Sequence, residues 1–304
     1  MSQVSKKYLV CVVGPTAVGK TKLAIDLAKH FFTDVLSADS RQIYKELAIG
    51  TAKPTKEEME GVPHHFIDSH SLTDEISAGI YERDGNKLLE SLFVKQDVVV
   101  LCGGTGLYVQ ALLYGLDEVP KVDESYRTEL TLELEEKGIT SLQEELLKVD
   151  PESFHSIDIH NPQRLIRALE VYRSEGNPIS SYRTGTEKER FYQPILIGLE
   201  RDREELYTRI NKRMDIMLEQ GLEKEAERYY SQRYLNALQT VGYREIYNFM
   251  EGMYNREEMI RLLKRNSRHY AKRQMTWFTK MKGVHWFHPT DWDKIVKYIK
   301  DSMQ

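Results

Sequence analysis

A chain of 304 residues can bury a core without disulfides or metal staples, and with 43 Lys and Arg against 47 Asp and Glu its net charge of −4 singles out no polyanionic partner. Cys11 and Cys102 stand in apolar runs with no C-x-x-C or Cys/His spacing, which argues for buried, reduced thiols and against a disulfide framework or a zinc site. There is no apolar run near 18 residues and no charged-then-apolar leader, so a cytosolic protein is expected.

Taken in chain order, "YLVCVVG" (8–14) reads as a buried strand. "GKTKLAIDLAKHF" follows as a helix with Leu23, Ile25, Leu27 and Ala28 on its apolar face. "VLSADS" (35–40) and "DVVVLCGG" (97–104) are further strands, and this alternation with helices implies a parallel sheet. From about Leu116 to Tyr192 only helical patterns appear, broken at Pro120, Gly138, Asp150-Pro151, Asn161-Pro162 and Gly176-Asn177-Pro178. "PILIGLE" (194–200) restores a strand, "RDREELYTRINKRMDIMLEQ" is a long charged helix, and "GVHWFHP" is a last strand. The expected fold is α/β: a P-loop NTPase-like parallel sheet flanked by helices, with a core from 1–116 and 193–304 and a helical insertion at 117–192. Basic charge gathers late in the chain. Arg261 to Lys282 holds eight Lys or Arg and no acid, interleaved with His269, Tyr270, Trp277 and Phe278.

"GPTAVGKT" (Gly14, Pro15, Thr16, Ala17, Val18, Gly19, Lys20, Thr21) fits G-x-x-x-x-G-K-[ST] between a buried strand and a helix. In that setting loop N–H groups and the positive end of the helix dipole face linked phosphates, Lys20 adds a charge and the Thr21 hydroxyl reaches Mg2+. Read alone, the motif says nucleotide triphosphate. An ordinary P-loop NTPase also carries an Asp at a strand end to hold the metal, but here the third strand ends in Gly103-Gly104. The nearest strand-end carboxylate is Asp39, placed to share the phosphate crevice, its bland alternative being to cap a helix starting near Ser40. Such a site suits a kinase, or a transferase whose leaving group is diphosphate.

With "DSRQIY" (39–44), "IGTAKP" (49–54), "VPHH" (62–65), "SAGIY" (77–81), "GGTGLY" (103–108), "NPQRLIRALEVY" (161–172), "TVGYRE" (240–245) and "AKRQMTWF" (271–278) added, the chain closely resembles the tRNA dimethylallyltransferases, over nearly its whole length. The zinc-finger extension typical of eukaryotic members is absent, as in bacterial-type enzymes. The resemblance implies transfer of a dimethylallyl group from dimethylallyl diphosphate to N6 of adenosine 37, beside the tRNA anticodon, with diphosphate released and Mg2+ as cofactor. It implies Asp39 as the base, Thr16 beside it, and Lys20 and Arg213 on the diphosphate; a monomer is expected, although the sequence itself does not reveal the oligomeric state. It further implies tRNA contacts from Asp39, Ser40, Arg41, Gln42, Thr105, Arg127, Gln163, Arg164, Leu165, Ile166, Arg167, Lys272, Arg273, Gln274 and Trp277.

On the residues alone, several of these have structural alternatives. Arg213 could be a solvated charge on a helix rich in i, i+4 pairs. The run 261–282 could be a solvated helix face with its aromatics in the core, and Arg164 and Arg167 could be surface partners of Glu170. His64-His65 lacks a third metal ligand, and Asp68 could instead fix a histidine tautomer. Competing functions are an adenylate isopentenyltransferase, a small-metabolite kinase and a non-catalytic RNA-binding switch. The insertion and basic segment weigh against the first, the glycines at 103 and 104 against the second, and the third requires that Asp39 be dispensable.

Overall fold

The structure is a computed structural model that describes residues 6–304, and these form two compact units. One unit runs to Tyr114 and resumes over Glu189–Gln304; the other is Gly115–Lys188.

The first unit is built on a six-stranded, wholly parallel sheet in the order β3-β2-β4-β1-β5-β6. Its strands are β1 (Tyr8–Val13), β2 (Val35–Ser37), β3 (His64–His65), β4 (Val98–Gly103), β5 (Gln193–Leu199) and β6 (His285–Phe287). Every residue of β1 is buried, as expected for a central strand covered on both faces. Alternate β1 residues divide between two apolar layers. Tyr8, Val10 and Val12 pack with α1 (Lys20–Phe31), while Leu9, Cys11 and Val13 pack with α2 (Ala78–Phe93) and α3 (Gly106–Tyr114). Burial pushes the Cys11 thiol far up, and Cys102 up to about 11, so both are inert thiols.

β2 is shorter than the apolar run suggests. After Ser37 the chain leaves the ladder into turns, and those turns carry residues 39 to 42 over the C-terminal edge of the sheet. β3 was not expected. Its two histidines add an edge strand to β2, with His64 Nδ1 2.8 Å from the Val62 carbonyl and His65 Nε2 2.8 Å from Asp34 Oδ2. The carboxylate that orients a histidine is therefore Asp34 and not Asp68, which pairs with Lys53. Among the described residues no group of three His, Cys, Asp or Glu could hold a metal.

The second unit contains α4 (Glu124–Lys137), α5 (Ile139–Val149), α6 (Pro151–Ser156) and α7 (Pro162–Glu175) around Leu130, Leu142, Leu146, Leu165 and Leu169. Its breaks are caps: the Asp123, Asp150 and Asn161 side chains accept the first free N–H groups, prolines follow the latter two, and Gly176 ends α7 in the left-handed conformation.

The first unit then adds α8 (Arg203–Glu219), α9 (Leu222–Arg228), α10 (Tyr243–Met250), α11 (Arg256–Lys280) and α12 (Trp292–Ser302). No helix is long and apolar enough to cross a membrane among the described residues. α11 carries the basic run and buries one stripe, Met259, Leu263, Ser267, Ala271, Gln274 and Phe278, at helical spacing. Phe278 is thus a core residue, whereas Lys272 and Arg273 on the opposite side are exposed.

Candidate active site

The phosphate loop joins β1 to α1, and its shape is held from outside. Gly14 has φ 141°, and a Cβ there would stand 2.7 Å from the Leu199 carbonyl oxygen, so only glycine lets the loop cross β5 so closely. Three cations then occupy the loop's carbonyls. Lys20 Nζ donates to Pro15 O (2.7 Å), Arg209 Nε to Ala17 O (2.8 Å) and Arg201 Nε to Val18 O (2.8 Å). Tying the carbonyls to guanidinium groups on one side leaves the amides to serve an anion on the other. Arg201 and Arg209 were missed in the sequence because they sit 183 and 192 residues downstream of their partners in an unremarkable charged helix pattern.

Gln274 is the second restraint on the loop. Its buried amide accepts from Thr16 N (2.8 Å) and donates to Gly104 O (3.0 Å), tying the phosphate loop to the end of β4 through α11. This also explains the glycines at that strand end. A Cβ at Gly103 would lie 2.2 Å from Ala38 O, and one at Gly104 2.3 Å from Gln274 Nε2. No strand-end carboxylate fits there. Trp277, one turn on, packs its ring against Gly106.

A cavity of about 100 Å³ opens beside the loop, walled by Thr16, Ala17, Asp39, Arg41, Gly50, Thr51, Ile210, Arg213, Met214, Met217, Thr240, Val241, Ser267 and Tyr270. A larger, open groove of about 700 Å³ runs along α1 past Gly19, Lys22, Lys29, Arg201, Arg209 and Trp292, but none of Asp39, Arg213 or Thr16 lines it. The convergence of a carboxylate, two arginines and a loop threonine marks the smaller cavity as the candidate site.

Asp39 Oδ1 accepts from Arg41 N (2.9 Å) and Gln42 N (3.2 Å), capping a turn and not a helix. Arg213 Nη1 reaches Thr16 Oγ1 (3.4 Å) and Nη2 reaches Ala52 O (3.5 Å); it is no solvated surface charge. Burial holds its guanidinium below the ordinary arginine range, with Asp39 and Glu58 acting in the opposite sense. Burial likewise pushes Lys20 down to about 8, partly offset by Cys102 and Asp39. Thr21 is exposed in the first turn of α1 and lines neither cavity. Ser40 N donates to Thr105 Oγ1 (2.9 Å), and Thr105 Oγ1 donates to Ser40 Oγ (3.2 Å), so these two residues form one polar edge. Gln42 spends its side-chain amide on Thr51 O (3.1 Å) and Ala52 O (3.2 Å).

The remaining expected residues lie on the second unit. Arg127 clasps Glu170 through Nε (2.8 Å) and Nη2 (3.0 Å), and Arg167 Nη1 donates to the same carboxylate (2.7 Å). Burial alone would raise Glu170, but the two guanidiniums outweigh it and hold the carboxyl below its ordinary range. Gln163 and Arg164 are exposed, whereas Leu165 and Ile166 are buried in the unit's core. In this segment only Gln163, Arg164 and the half-buried Arg167 present side chains outside the core. Gln274 is in the same position as the two apolar residues, both ends of its amide being used within the protein.

Tyr270 was read only as one aromatic of the basic run, and the residues of the apolar wall were not named from sequence, because residues from α8, α11 and the segment before α10 meet only in the folded chain. Tyr270's phenol is pushed far up by burial, then by Asp39, so it is neutral in this wall.

Comparison with known proteins gives a consistent set of relatives. The family model described as IPP transferase matches residues 42–281. A tRNA dimethylallyltransferase of Cytophaga hutchinsonii is 57% identical over 98% of this chain and 98% of its own. One of Christiangramia forsetii is 47% identical over 98% and 97%. Among solved structures, the full-length tRNA isopentenylpyrophosphate transferase of Bacillus halodurans superposes with a TM-score of 0.70 at 40% identity, covering 98% of this chain and 96% of that one. A eukaryotic dimethylallyltransferase acting on tRNA gives a TM-score of 0.77 at 26% identity, over 98% of this chain and 77% of that one.

Proposed function

The chain belongs to the IPP transferase family, and from that premise we propose that it transfers a dimethylallyl group from dimethylallyl diphosphate to N6 of adenosine 37 in tRNA, releasing diphosphate. It is an enzyme that prenylates tRNA. The observation that carries the residue-level reading is the shared cavity of Asp39, Thr16, Arg41 and Arg213 beside the phosphate loop, with Ile210, Met214, Met217 and Val241 on its wall.

The chemistry follows from that composition. Adenine N6 is a poor nucleophile because its lone pair is delocalised into the ring. As N6 forms its bond to the first carbon of the allyl group, the carbon–oxygen bond to diphosphate breaks and its electron pair stays on the leaving group. The N6 proton passes to Asp39, whose Oδ1 is occupied by two backbone N–H groups and whose second oxygen serves as base. Charge that grows on the diphosphate is met by the loop amides, Lys20 and Arg213. The donor's five-carbon tail lies against Met214, Met217, Ile210 and Val241, which keep water from the electron-deficient carbon. Fixed carbonyls of the loop mean that little reorganisation accompanies binding.

Magnesium would accompany the diphosphate at the phosphate loop, outside the cavity that Asp39 and Arg213 wall. The close contacts at Gly103 and Gly104 leave no room for a metal-holding carboxylate, so Thr21 is the one side chain of the loop that would hold it, with substrate oxygens and water completing the shell. When bound there it would help to neutralise the leaving group.

For tRNA, the proposal assigns the entrance to Asp39, Ser40, Arg41, Gln42 and Thr105, flanking contacts to Lys272, Arg273 and Trp277, and further contacts to Arg127, Gln163, Arg164 and Arg167. A loop adenosine surrenders only stacking when it is extruded, about a few kcal/mol. Incubating the protein with magnesium, labelled dimethylallyl diphosphate and bulk tRNA tests the reading. Label enters tRNA and resides on the N6 of adenosine; label in free AMP, or ATP consumption with unlabelled tRNA, overturns it.

A further inference from the structure

Glu225 lies on α9 and appears in no motif singled out from the sequence. Its carboxylate nevertheless collects four donors. Oε2 accepts from Ala48 N (3.0 Å) and Ile49 N (2.9 Å), and Oε1 accepts from Gly50 N (2.8 Å) and Tyr243 Oη (2.6 Å). Three consecutive amides and a phenol on one carboxylate are charge-assisted bonds, stronger than their neutral counterparts. The phenol stays protonated, because burial and then the Glu225 charge push it far up. Tyr243 also packs closely against the same loop: a Cβ on Gly50 would meet its ring at 2.6 Å.

The gripped loop is the one that supports the site. Gly50 and Thr51 line the cavity. The next two carbonyls, Thr51 O and Ala52 O, hold the Gln42 side-chain amide, and Ala52 O also receives Arg213 Nη2. Gln42 in turn donates its backbone N–H to Asp39 Oδ1. A continuous path of hydrogen bonds therefore runs from Glu225 through residues 48–52 to the arginine assigned to the diphosphate and the carboxylate assigned to the proton.

We infer that Glu225, seconded by Tyr243, is a positioning residue of the prenyl-transfer site: it fixes the 48–52 loop, and the loop sets where Arg213 and Gln42 stand. The inference rests on the function proposed above. It differs from a purely structural role in what it predicts for the two substrates, since a misplaced Arg213 weakens the hold on diphosphate before anything else.

The test is steady-state kinetics of tRNA prenylation by the full chain, with both substrates varied. Glu225→Gln keeps the side-chain length but turns one acceptor into a donor facing donors, so the loop loosens. KM for dimethylallyl diphosphate rises roughly tenfold and kcat falls by about the same factor, in line with the cost of small misplacements distant from the chemistry. KM for tRNA changes by less than about twofold, well under the tenfold that 1.4 kcal/mol represents. Tyr243→Phe, which removes a single donor and leaves the core ring in place, moves the same KM in the same direction by a smaller factor. If Glu225→Gln lowers kcat only in proportion to its folded fraction, with KM for dimethylallyl diphosphate unchanged, the inference is overturned. If that variant does not fold, an unchanged KM in Tyr243→Phe overturns it equally. Failure of the wild-type protein to prenylate tRNA refutes instead the parent reading, and the inference with it.

Discussion

Asn at position 39 separates two jobs that one carboxylate performs. Oδ1 of Asp39 holds Arg41 N at 2.9 Å and Gln42 N at 3.2 Å, and an asparagine oxygen can accept both, since Asn and Asp are nearly equivalent as caps. Asp39→Asn therefore costs under about 0.5 kcal/mol and shifts melting by less than about 2 °C, whereas Asp39→Ala forfeits both bonds, about 1 kcal/mol. The other job is proton acceptance, which the amide cannot perform. A positioned base contributes about 10²- to 10⁴-fold, so Asp39→Asn should lose roughly 3–5 kcal/mol of transition-state stabilisation. Single-turnover transfer of labelled dimethylallyl to tRNA, with tRNA affinity and melting measured alongside, reads both effects. Transfer within about tenfold of wild type in a folded Asn variant would refute the base assignment, and equal melting losses for Asn and Ala would refute the capping argument.

Other expectations rest on separate features. With burial holding Lys20 near 8, kcat/KM for dimethylallyl diphosphate should fall as pH rises through about 8, because the free enzyme then loses the ammonium; Lys20→Arg should retain no such break. The sign for stability is opposite. The unfolded chain keeps its proton up to the ordinary 10.5, so burial's penalty is full below about 8 and is relieved as pH climbs from there to 10.5, a gain that denaturant titration of Lys20→Met should lack. Replacing exposed Lys272 and Arg273 with alanine should weaken tRNA binding and reduce the slope of log K against log salt by about 1.5; an unchanged slope makes them a solvated face. Met214→Ala or Met217→Ala should raise transfer from geranyl diphosphate relative to dimethylallyl diphosphate by about tenfold or more, a methylene in an apolar pocket being worth 10- to 200-fold, and a constant ratio would remove that side chain from the tail pocket.

What could be read from the chain before folding was local. The phosphate loop, the buried strands and the caps at Asp150-Pro151 and Asn161-Pro162 depend on neighbours within a few residues, and their types declare them. Asp39 was legible because a strand end next to a phosphate loop has one place to go in a parallel sheet. β3 was not, since two histidines carry no alternation and pair only because β2 offers an unpaired edge. The family resemblance put Gln274 among the tRNA contacts, and its hold on the phosphate loop was not legible, because helical periodicity turns it inward while Lys272 and Arg273 turn outward.

The sequence by itself determined the chemistry class: a loop for linked phosphates, a strand-end carboxylate and a strand end without the usual metal-holding acid. Only the tertiary structure decided how that loop is held and what walls the cavity. Arg201, Arg209, Gln274 and Glu225 each satisfy backbone groups 170 or more residues away in the chain, from Gly104 O at 170 residues to Thr16 N at 258. Such bonds leave no periodic trace, because the donor's neighbours in sequence have no part in them. They form because a buried carbonyl or amide must find a partner, and the fold determines which side chain is near enough to supply it.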